Sequence, residues 1–362
     1  MSNLSGLAEP LRIKSFLGEY QVNFPKDVDT TLSSYARESS HFIIDSNVAL
    51  KQAKRLAPVL ESGKALLLDA TEENKDLRKI ADHIQRLLCQ NPRRDHVLVA
   101  IGGGIIQDIT CFISSVLFRG IAWEFFPTTL LAQADSCIGS KSSINLAEVK
   151  NLLGTFRAPR NIFLSPDFLE TLSEQELRSG VGEMLKVHII DGIDSFREIA
   201  RAYPELFQDK KTLLHFIRRS LEIKRRLVEC DEFDKDTRNI LNYGHSFGHA
   251  LESATDFAIP HGIAITIGMD MANSLAVEKG LCSTEFLGET KPLLLRNAGT
   301  FAQYPIPIEK FLFALSKDKK NVGGALTLIL PGLKGIPEKV RTLPDEAFLS
   351  FCTKYFDSCQ KA

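Results

Sequence analysis

Apolar positions in the first half of the chain fall in short unbroken runs, and between them lie stretches with helical spacing. "SHFIIDSN" precedes "LKQAKRLAPVLES", "KALLLDA" precedes "KDLRKIADHIQRLLCQN", and "DHVLVAIGGG" opens onto "IIQDITCFISSVLF". This alternation predicts a parallel sheet covered by helices, with "AWEFFP" and "NIFLSP" as further strands. Beyond "LSPDFLETLSEQEL" the pattern changes to long helical segments such as "KTLLHFIRRSLEIKRRLVEC" and "GIAITIGMDMANSLAVEKG". The change predicts an α/β domain over 1–168 and a mostly helical domain over 169–362. "GALTLILP", late in the chain, reads as one arm of a hairpin among those helices.

A length of 362 residues with 44% hydrophobic positions is enough for two domains with cores of their own. The formal charge of -1 offers no broad basic field for nucleic acid or anionic lipid, so a bound anion must be met by a local cluster. The N-terminal "MSNLSGLAEPLRIKSF" has neither a basic start nor an apolar core, and no run approaches the roughly 18 apolar residues of a membrane helix. The seven cysteines form no CxxC pair and read as reduced thiols. A cytoplasmic enzyme acting on small molecules is expected, with neither nucleic acid nor membrane as partner.

Three glycines, Gly102, Gly103 and Gly104, stand between a strand and a helix, where backbone N–H groups and the positive helix end can take a diphosphate. The same turn also occurs as plain strand-to-helix punctuation. Asp108 sits in the first turn of that helix, and Asp45 and Asn47 end an earlier strand as turn formers or ribose contacts. "FPTTLLAQADSCIGSKSSINLAEVKNLLGTF" places Thr128, Thr129, Asp135, Lys141, Lys150 and Asn151 among apolar and small residues, where the two lysines and the asparagine suit a phosphorylated ligand and a solvated loop is the alternative. Glu183 and Lys186, three apart in "SGVGEMLKVHII", share a helix face. A carboxylate in so apolar a stretch is paired or holds a metal.

Eight histidines are spread through the chain, yet His245, His249 and His261 fall close together. His245 and His249 have the i, i+4 spacing of HExxH with Ser246 in place of Glu, which permits shared ligation without requiring it. Two imidazoles and the Glu183 carboxylate would hold one metal ion and leave positions open for substrate.

In order, "GGGIIQD", "RGIAWEFFPTTLLAQADSCIGSKSSIN", "KNLLGTF", "GVGEMLKVHII", "RNILNYGHSFGHALE" and "HGIAITIGM" closely resemble the 3-dehydroquinate synthase family. The resemblance runs from "IIDSNVA" to "SKDKKNVG". It implies a Rossmann-like NAD-binding α/β domain, a helical metal-binding domain and an active site in the cleft between them. It also implies Glu183, His245 and His261 as ligands of zinc, with cobalt as a substitute, and His249 outside the metal shell. By the same resemblance NAD lies along Asp45, Asn47, Glu72, Lys75, Gly103, Gly104, Asp108, Thr128, Thr129, Lys150 and Thr171. Asp135, Lys141, Asn151, Lys186, Lys224, Arg238 and Asn242 meet the substrate, as does Lys319 or Lys320. Arg119 matches an arginine that reaches a neighbouring subunit's site, which implies a homodimer.

The implied reaction is a carbon–oxygen lyase step of the shikimate route to aromatic amino acids. It converts 3-deoxy-arabino-heptulosonate 7-phosphate to 3-dehydroquinate and phosphate through transient oxidation by NAD, elimination, re-reduction and aldol closure. Four departures mark a divergent member: "ATEENK" for GExxK, Gln107 in GGGxxGD, Ser140 in GGK, and Ile263 in HGE, which removes a possible acceptor near the metal. The alternative is a related sugar phosphate cyclase taking sedoheptulose 7-phosphate, glucose 6-phosphate or an amino analogue of the acid. Lys224 and Arg238, at carboxylate-contact positions, favour the acid. A metal-dependent alcohol dehydrogenase is the reading from another class, and the phosphate-site residues argue against it. A scaffold that has lost activity at Ile263 is the third.

Overall fold

The computed structural model describes residues 9–36, 39–147, 149–317, 321 and 323–361, with the side chains of 360 and 361 excepted. The chain divides into two compact units. One contains the chain up to Leu172 together with Leu213–Phe233; the other contains Ser173–Thr212 and the chain from Asp234 onward.

The first unit is built on a seven-stranded sheet. In chain order its strands are β1 (Leu11–Ser15), β2 (Gly18–Asn23), β3 (Ser40–Asp45), β4 (Ala65–Leu68), β5 (Val97–Gly102) and β6 (Ala122–Pro127). After a separate hairpin of β7 (Ile144–Leu146) and β8 (Val149–Leu153), β9 (Asn161–Phe163) completes the sheet. The spatial order is β1-β2-β9-β6-β5-β3-β4, and every pair is parallel except the β1–β2 hairpin. Ile43 pairs with Ala100 and Ala100 with Phe125, so apolar residues fill the sheet centre as both-face burial requires.

Helices α1 (Val28–Tyr35), α2 (Ser46–Lys51), α3 (Ala53–Leu60), α4 (Leu77–Leu88) and α5 (Gly104–Val116) link these strands. Asp27 caps α1 and Asp76 caps α4, each by accepting backbone N–H bonds. Val28, Leu32, Leu56 and Val59 pack on Phe42, Ile44, Val99, Ile101 and Phe126 of the sheet. From β3 the chain steps outward to β4, then returns across β3 to β5 and continues to β6. The strand order therefore reverses between β3 and β5, and ligands of such sheets lie outside the carboxyl ends of the strands at that point.

The second unit holds α6 (Glu174–Asp191) and α7 (Ile193–Arg201). Helix α8 (Lys210–Cys230) follows and belongs almost wholly to the first unit. The second unit then resumes with α9 (His245–Ala254), α10 (His261–Glu278), α11 (Thr284–Ala298) and α12 (Ile308–Ser316). It ends with the hairpin β10 (Leu326–Pro331) and β11 (Pro337–Thr342) and helix α13 (Glu346–Lys361). A capping box of Ser173 and Glu176 starts α6. Helix α10 is apolar nearly all round and packs on α6, α9, α11 and β10.

Glycines let three of these helices touch backbone to backbone. A Cβ on Gly182 of α6 would stand 2.2 Å from Gly262 O, and one on Gly268 of α10 would stand 2.2 Å from Gly244 O. Glu183, His261 and His245 each adjoin one of these glycines, so the close approach fixes where their side chains begin.

Three features depart from the pattern read in the sequence. The helical domain expected from 169 onward does not keep α8. Lys224 pairs with Asp135, Glu229 accepts from Lys14 N, and Arg218 lies over Phe24, all within the first unit. The β1–β2 hairpin was not read from the sequence. Part of the polar stretch after Lys141 forms the β7–β8 hairpin.

Candidate active site

In the first unit the expected cofactor residues follow the carboxyl ends of five parallel strands. Asp45 ends β3 and caps α2, its carboxylate accepting from Asn47 N at 2.9 Å. Thr171, beyond β9, accepts from Gln52 Nε2 at 3.3 Å and so lies beside the end of α2. Gly103 and Gly104 join β5 to α5; a Cβ on Gly103 would come within 3.0 Å of the Thr129 methyl, so the turn is tight there. Thr128 Oγ1, after β6, is buried with no hydrogen-bond partner among the described residues. A glycine turn at a helix start, an unpartnered buried hydroxyl and acidic groups at the strand ends together fit a dinucleotide.

Lys75 organises the next layer. It lies in a helical turn after β4 and is buried, with its Nζ 2.8 Å from Asp108 Oδ2, 3.0 Å from Asn151 Oδ1, 3.4 Å from Ser143 Oγ and 3.9 Å from Glu72 Oε1. Asp108 also accepts from Ser143 N at 3.0 Å and Ser143 Oγ at 2.9 Å. Burial pushes the Asp108 carboxyl up, against the pull of Lys75 and Ser143. One cluster thus gathers residues expected for cofactor (Glu72, Lys75, Asp108) and for substrate (Asn151). Asn151 also shares with Lys141, Ser142 and Ser143 the wall of a pocket of about 470 Å³.

Asp135 occupies a single π-helical turn, and its side chain meets Lys224 Nζ at 2.9 Å while its carbonyl accepts from the same ammonium at 2.7 Å. Two of the family departures brace this region. Gln107 donates to Ser136 O at 2.6 Å and accepts from Ser136 Oγ at 2.8 Å. Ser140, at φ 55°, donates to Glu232 Oε1 at 2.5 Å, beside Lys141. Lys150 lies exposed on β8, and Arg119 lies exposed in the turn after α5, where Phe118, Arg119 and Gly120 all have positive φ. Lys319 and Lys320 fall outside the described residues.

In the second unit the expected metal ligands converge. Glu183 is 1% exposed, and its Oε1 stands 3.6 Å from His245 Nε2 and 3.3 Å from His261 Nε2. Neither carboxylate oxygen makes a hydrogen bond of regular geometry. Lys186, one turn along α6, forms a buried ion pair with Glu183. His245 Nδ1 donates to Tyr243 O at 3.1 Å, which turns Nε2 toward Glu183.

His261 Nδ1 faces Glu252 Oε2 at 3.2 Å, with the same result. One oxygen and two Nε2 atoms, all within 4.8 Å of one another, are the donor set of an open divalent-metal site. Burial would raise the Glu183 carboxyl, but Lys186 and His261 outweigh it and hold it below the usual carboxylate range. Burial would lower His261, but the neighbouring Glu183 and Glu252 carboxylates lift it to about 10. The field that draws a proton here also draws a cation.

His249 is exposed, its ring 5.3 Å from that of His245 and 5.8 Å from that of His261. Arg238 is buried and Asn242 half-buried in the helical turn Thr237–Asn242, where Asn242 donates to Asn239 O at 3.1 Å. Sequence reasoning missed Glu252, although it stands three residues after His249, a spacing that puts both on one helix face. Glu232 and Ser143 carried no local signal.

Models of known families match most of the chain. The 3-dehydroquinate synthase N-terminal model covers residues 65–179, and the 3-dehydroquinate synthase C-terminal model covers 180–321. The 3-dehydroquinate synthase of Dictyoglomus thermophilum is 34% identical over 92% of this chain and 90% of its own. That of Alkaliphilus metalliredigens is 31% identical over 93% and 97%.

Among solved structures, 2-deoxy-scyllo-inosose synthase complexed with carbaglucose-6-phosphate, NAD+ and Co2+ superposes with a TM-score of 0.81 at 22% identity, covering 98% of this chain and 100% of its own. The 2-epi-5-epi-valiolone synthase of Streptomyces hygroscopicus subsp. jinggangensis, with NAD+ and Zn2+ bound, gives 0.78 at 24% identity over 94% and 97%. The iron-containing alcohol dehydrogenase of Thermotoga maritima gives 0.54 at 15% over 94% and 98%. These likenesses establish the fold. Among the described residues no helix is long and apolar enough to cross a membrane.

Proposed function

This chain belongs to the 3-dehydroquinate synthase family, and from that premise we propose that it converts 3-deoxy-arabino-heptulosonate 7-phosphate to 3-dehydroquinate and phosphate, as a cytoplasmic, NAD- and zinc-dependent homodimeric lyase. The observation that carries the reading is the convergence of Glu183 Oε1 with the Nε2 atoms of His245 and His261, in a chain whose other unit has the glycine turn and strand-end residues of a dinucleotide site.

When bound, NAD supplies a reversible hydride acceptor, and zinc polarises the substrate oxygen it holds. The reaction ends with no net oxidation: a secondary alcohol becomes a ketone, the adjacent C–H that the ketone acidifies loses its proton as phosphate leaves the next carbon, the ketone is reduced back to the alcohol, the sugar ring opens, and an internal aldol step closes a carbocycle. Glu183, His245 and His261 would hold the metal. Asp45, Asn47, Glu72, Lys75, Gly103, Gly104, Asp108, Thr128, Thr129, Lys150 and Thr171 would hold NAD, with Asp108 fixed by Lys75 and Ser143.

Lys141 and Asn151 line a pocket whose cationic and amide groups suit a phosphate. Lys224 and Arg238 supply charge for the substrate carboxylate. Asp135, Lys186 and Asn242 orient the hydroxyl groups. Arg119, exposed in its turn, is available to a second subunit's site. His249 stands beside the metal ligands with its ring exposed, placed to pass a proton to or from bound substrate.

The test is phosphate release with the full-length protein, NAD and zinc. Turnover of the seven-carbon acid phosphate is expected. No reaction with it, together with turnover of sedoheptulose 7-phosphate, would replace this reading by that of another sugar phosphate cyclase, and stoichiometric NADH would replace it by a dehydrogenase.

A further inference from the structure

The His261 ring lies between two carboxylates on different helices. Its Nε2 is 3.3 Å from Glu183 Oε1 on α6, and its Nδ1 is 3.2 Å from Glu252 Oε2 on α9. Glu252 adjoins Leu251, which is wholly buried, and its own side chain is only 13% exposed, so its carboxylate is held near the ring. An imidazole that donates from Nδ1 to a carboxylate presents Nε2 as the lone-pair nitrogen, with raised basicity and a fixed ring plane. His245 reaches the same tautomer by a weaker route, donating Nδ1 to the neutral carbonyl of Tyr243.

Ile263, where the family pattern has a glutamate, is fully buried in α10 and offers no acceptor. Among the described residues, Glu252 is the carboxylate that meets His261 Nδ1.

We propose that Glu252 is a positioning residue for the metal centre. It fixes His261 as an Nε2 ligand and adds a negative charge one ring away from the cation, without itself binding the metal. This rests on the reading of Glu183, His245 and His261 as ligands. His249, Glu252 and His261 also form a cluster of donor atoms within 4.8 Å of one another, which admits a competing arrangement with Glu252 as ligand to a second cation.

The experiment uses the full-length chain, stripped with chelator and titrated with Co2+ while the visible d–d absorption is followed. Wild type, Glu252→Gln, Glu252→Ala and His245→Ala are compared, with circular dichroism reporting the fold of each. Wild type should bind Co2+ at a site that His245→Ala abolishes; failure of that pair of results overturns the ligand reading itself. Given one site, Glu252→Ala should bind about 10- to 100-fold more weakly, the range usual for loss of a metal site's outer partners, with an altered band shape because the ring is no longer held.

Glu252→Gln keeps an acceptor oxygen and loses the charge. It should retain the wild-type band shape and weaken binding by less than the alanine variant. Wild-type affinity and spectrum in Glu252→Ala would overturn the proposal, as would a second Co2+ in wild type that Glu252→Ala removes. If the alanine variant does not fold, the glutamine variant decides: it must bind more weakly than wild type for the proposal to stand.

Discussion

Lys75 and Asp108 form an ion pair at 2.8 Å in which the lysine side chain is only 5% exposed and the aspartate 19%. Each is needed by the other more than the fold needs either, because removing one charge strands its partner in a poorly solvated place. Lys75→Met should therefore cost about 3 kcal/mol in urea unfolding, the scale for breaking a buried pair. The double variant Lys75→Met, Asp108→Asn should recover part of that loss. Equal or additive losses would mean the pair is solvated. NAD affinity should fall in both variants, since the Asp108 carboxylate loses its orienting lysine in the first and its charge in the second.

The histidine spacing leads to a division of labour. His245→Ala should leave the protein with far less than one zinc per chain by elemental analysis. His249→Ala should retain zinc and lower kcat by about 10²- to 10⁴-fold, the range for loss of a proton-transfer group. Comparable metal loss in both variants would end that division.

Helix contact at Gly182 and Gly262 permits a sharper structural forecast. A Cβ on Gly262 would stand 1.8 Å from Ser179 O, which no rotamer change relieves because the obstacle is backbone. Gly262→Ala should destabilise the fold by about 3 kcal/mol, at the upper end for overpacking. It should also weaken zinc binding by moving His261. Gly288, whose Cβ would meet nothing within 4 Å, is the control: Gly288→Ala should leave both unchanged or slightly improve stability.

Ser140 can be tested by separating its two costs. Ser140→Gly removes the strain of φ 55° together with the hydrogen bond to Glu232, so its net effect on stability should be small. Ser140→Ala keeps the strain and loses the bond to a charged acceptor, and should cost about 1.5–3 kcal/mol. Chemical denaturation of the two variants distinguishes this from a hydroxyl with no structural role, for which Ser140→Ala would be neutral.

Acid should weaken the fold through two buried histidines. His41 and His83 are both held below the ordinary value of 6.5. For His41 the causes are burial, reinforced by His96 and Lys64 and opposed by Gln90. For His83 they are burial, reinforced by Arg86 and Lys79 and opposed by the Asn74 carbonyl and Asp82. The unfolded chain then binds protons that the folded chain refuses, so their contribution is full above about pH 6.5 and is lost as pH falls through the folded values. Tm should fall between about pH 7 and 5.5. The His41→Gln, His83→Gln variant should show a shallower slope, and an unchanged slope would refute the assignment.

The parts of this molecule legible in the sequence are those set by local pattern. The apolar runs of β3, β5 and β6, the glycine turn at Gly103 and the clustering of His245, His249 and His261 need no knowledge of distant contacts. Helix α8 was legible as a helix, but its place was not: Lys224 meets Asp135, and Glu232 meets Ser15 and Ser140, only once the chain has folded back. Glu252 was hidden for a similar reason. Its spacing from His249 places it on the histidine face of α9, but its partner His261 lies on the next helix, so the contact itself is not legible locally.

The placement of α8 also sets an order in time. A ribosome finishes every strand of the seven-stranded sheet by Phe163, yet the helix that bonds to β1 through Glu229 and anchors Asp135 through Lys224 is made only after Ser173–Thr212, a piece of the other unit. During synthesis the nascent first unit must wait, incompletely covered, while part of its neighbour emerges. Severing the gene near residue 172 would leave the upstream product without this helix, so the first unit is not a contiguous building block that recombination could transplant whole.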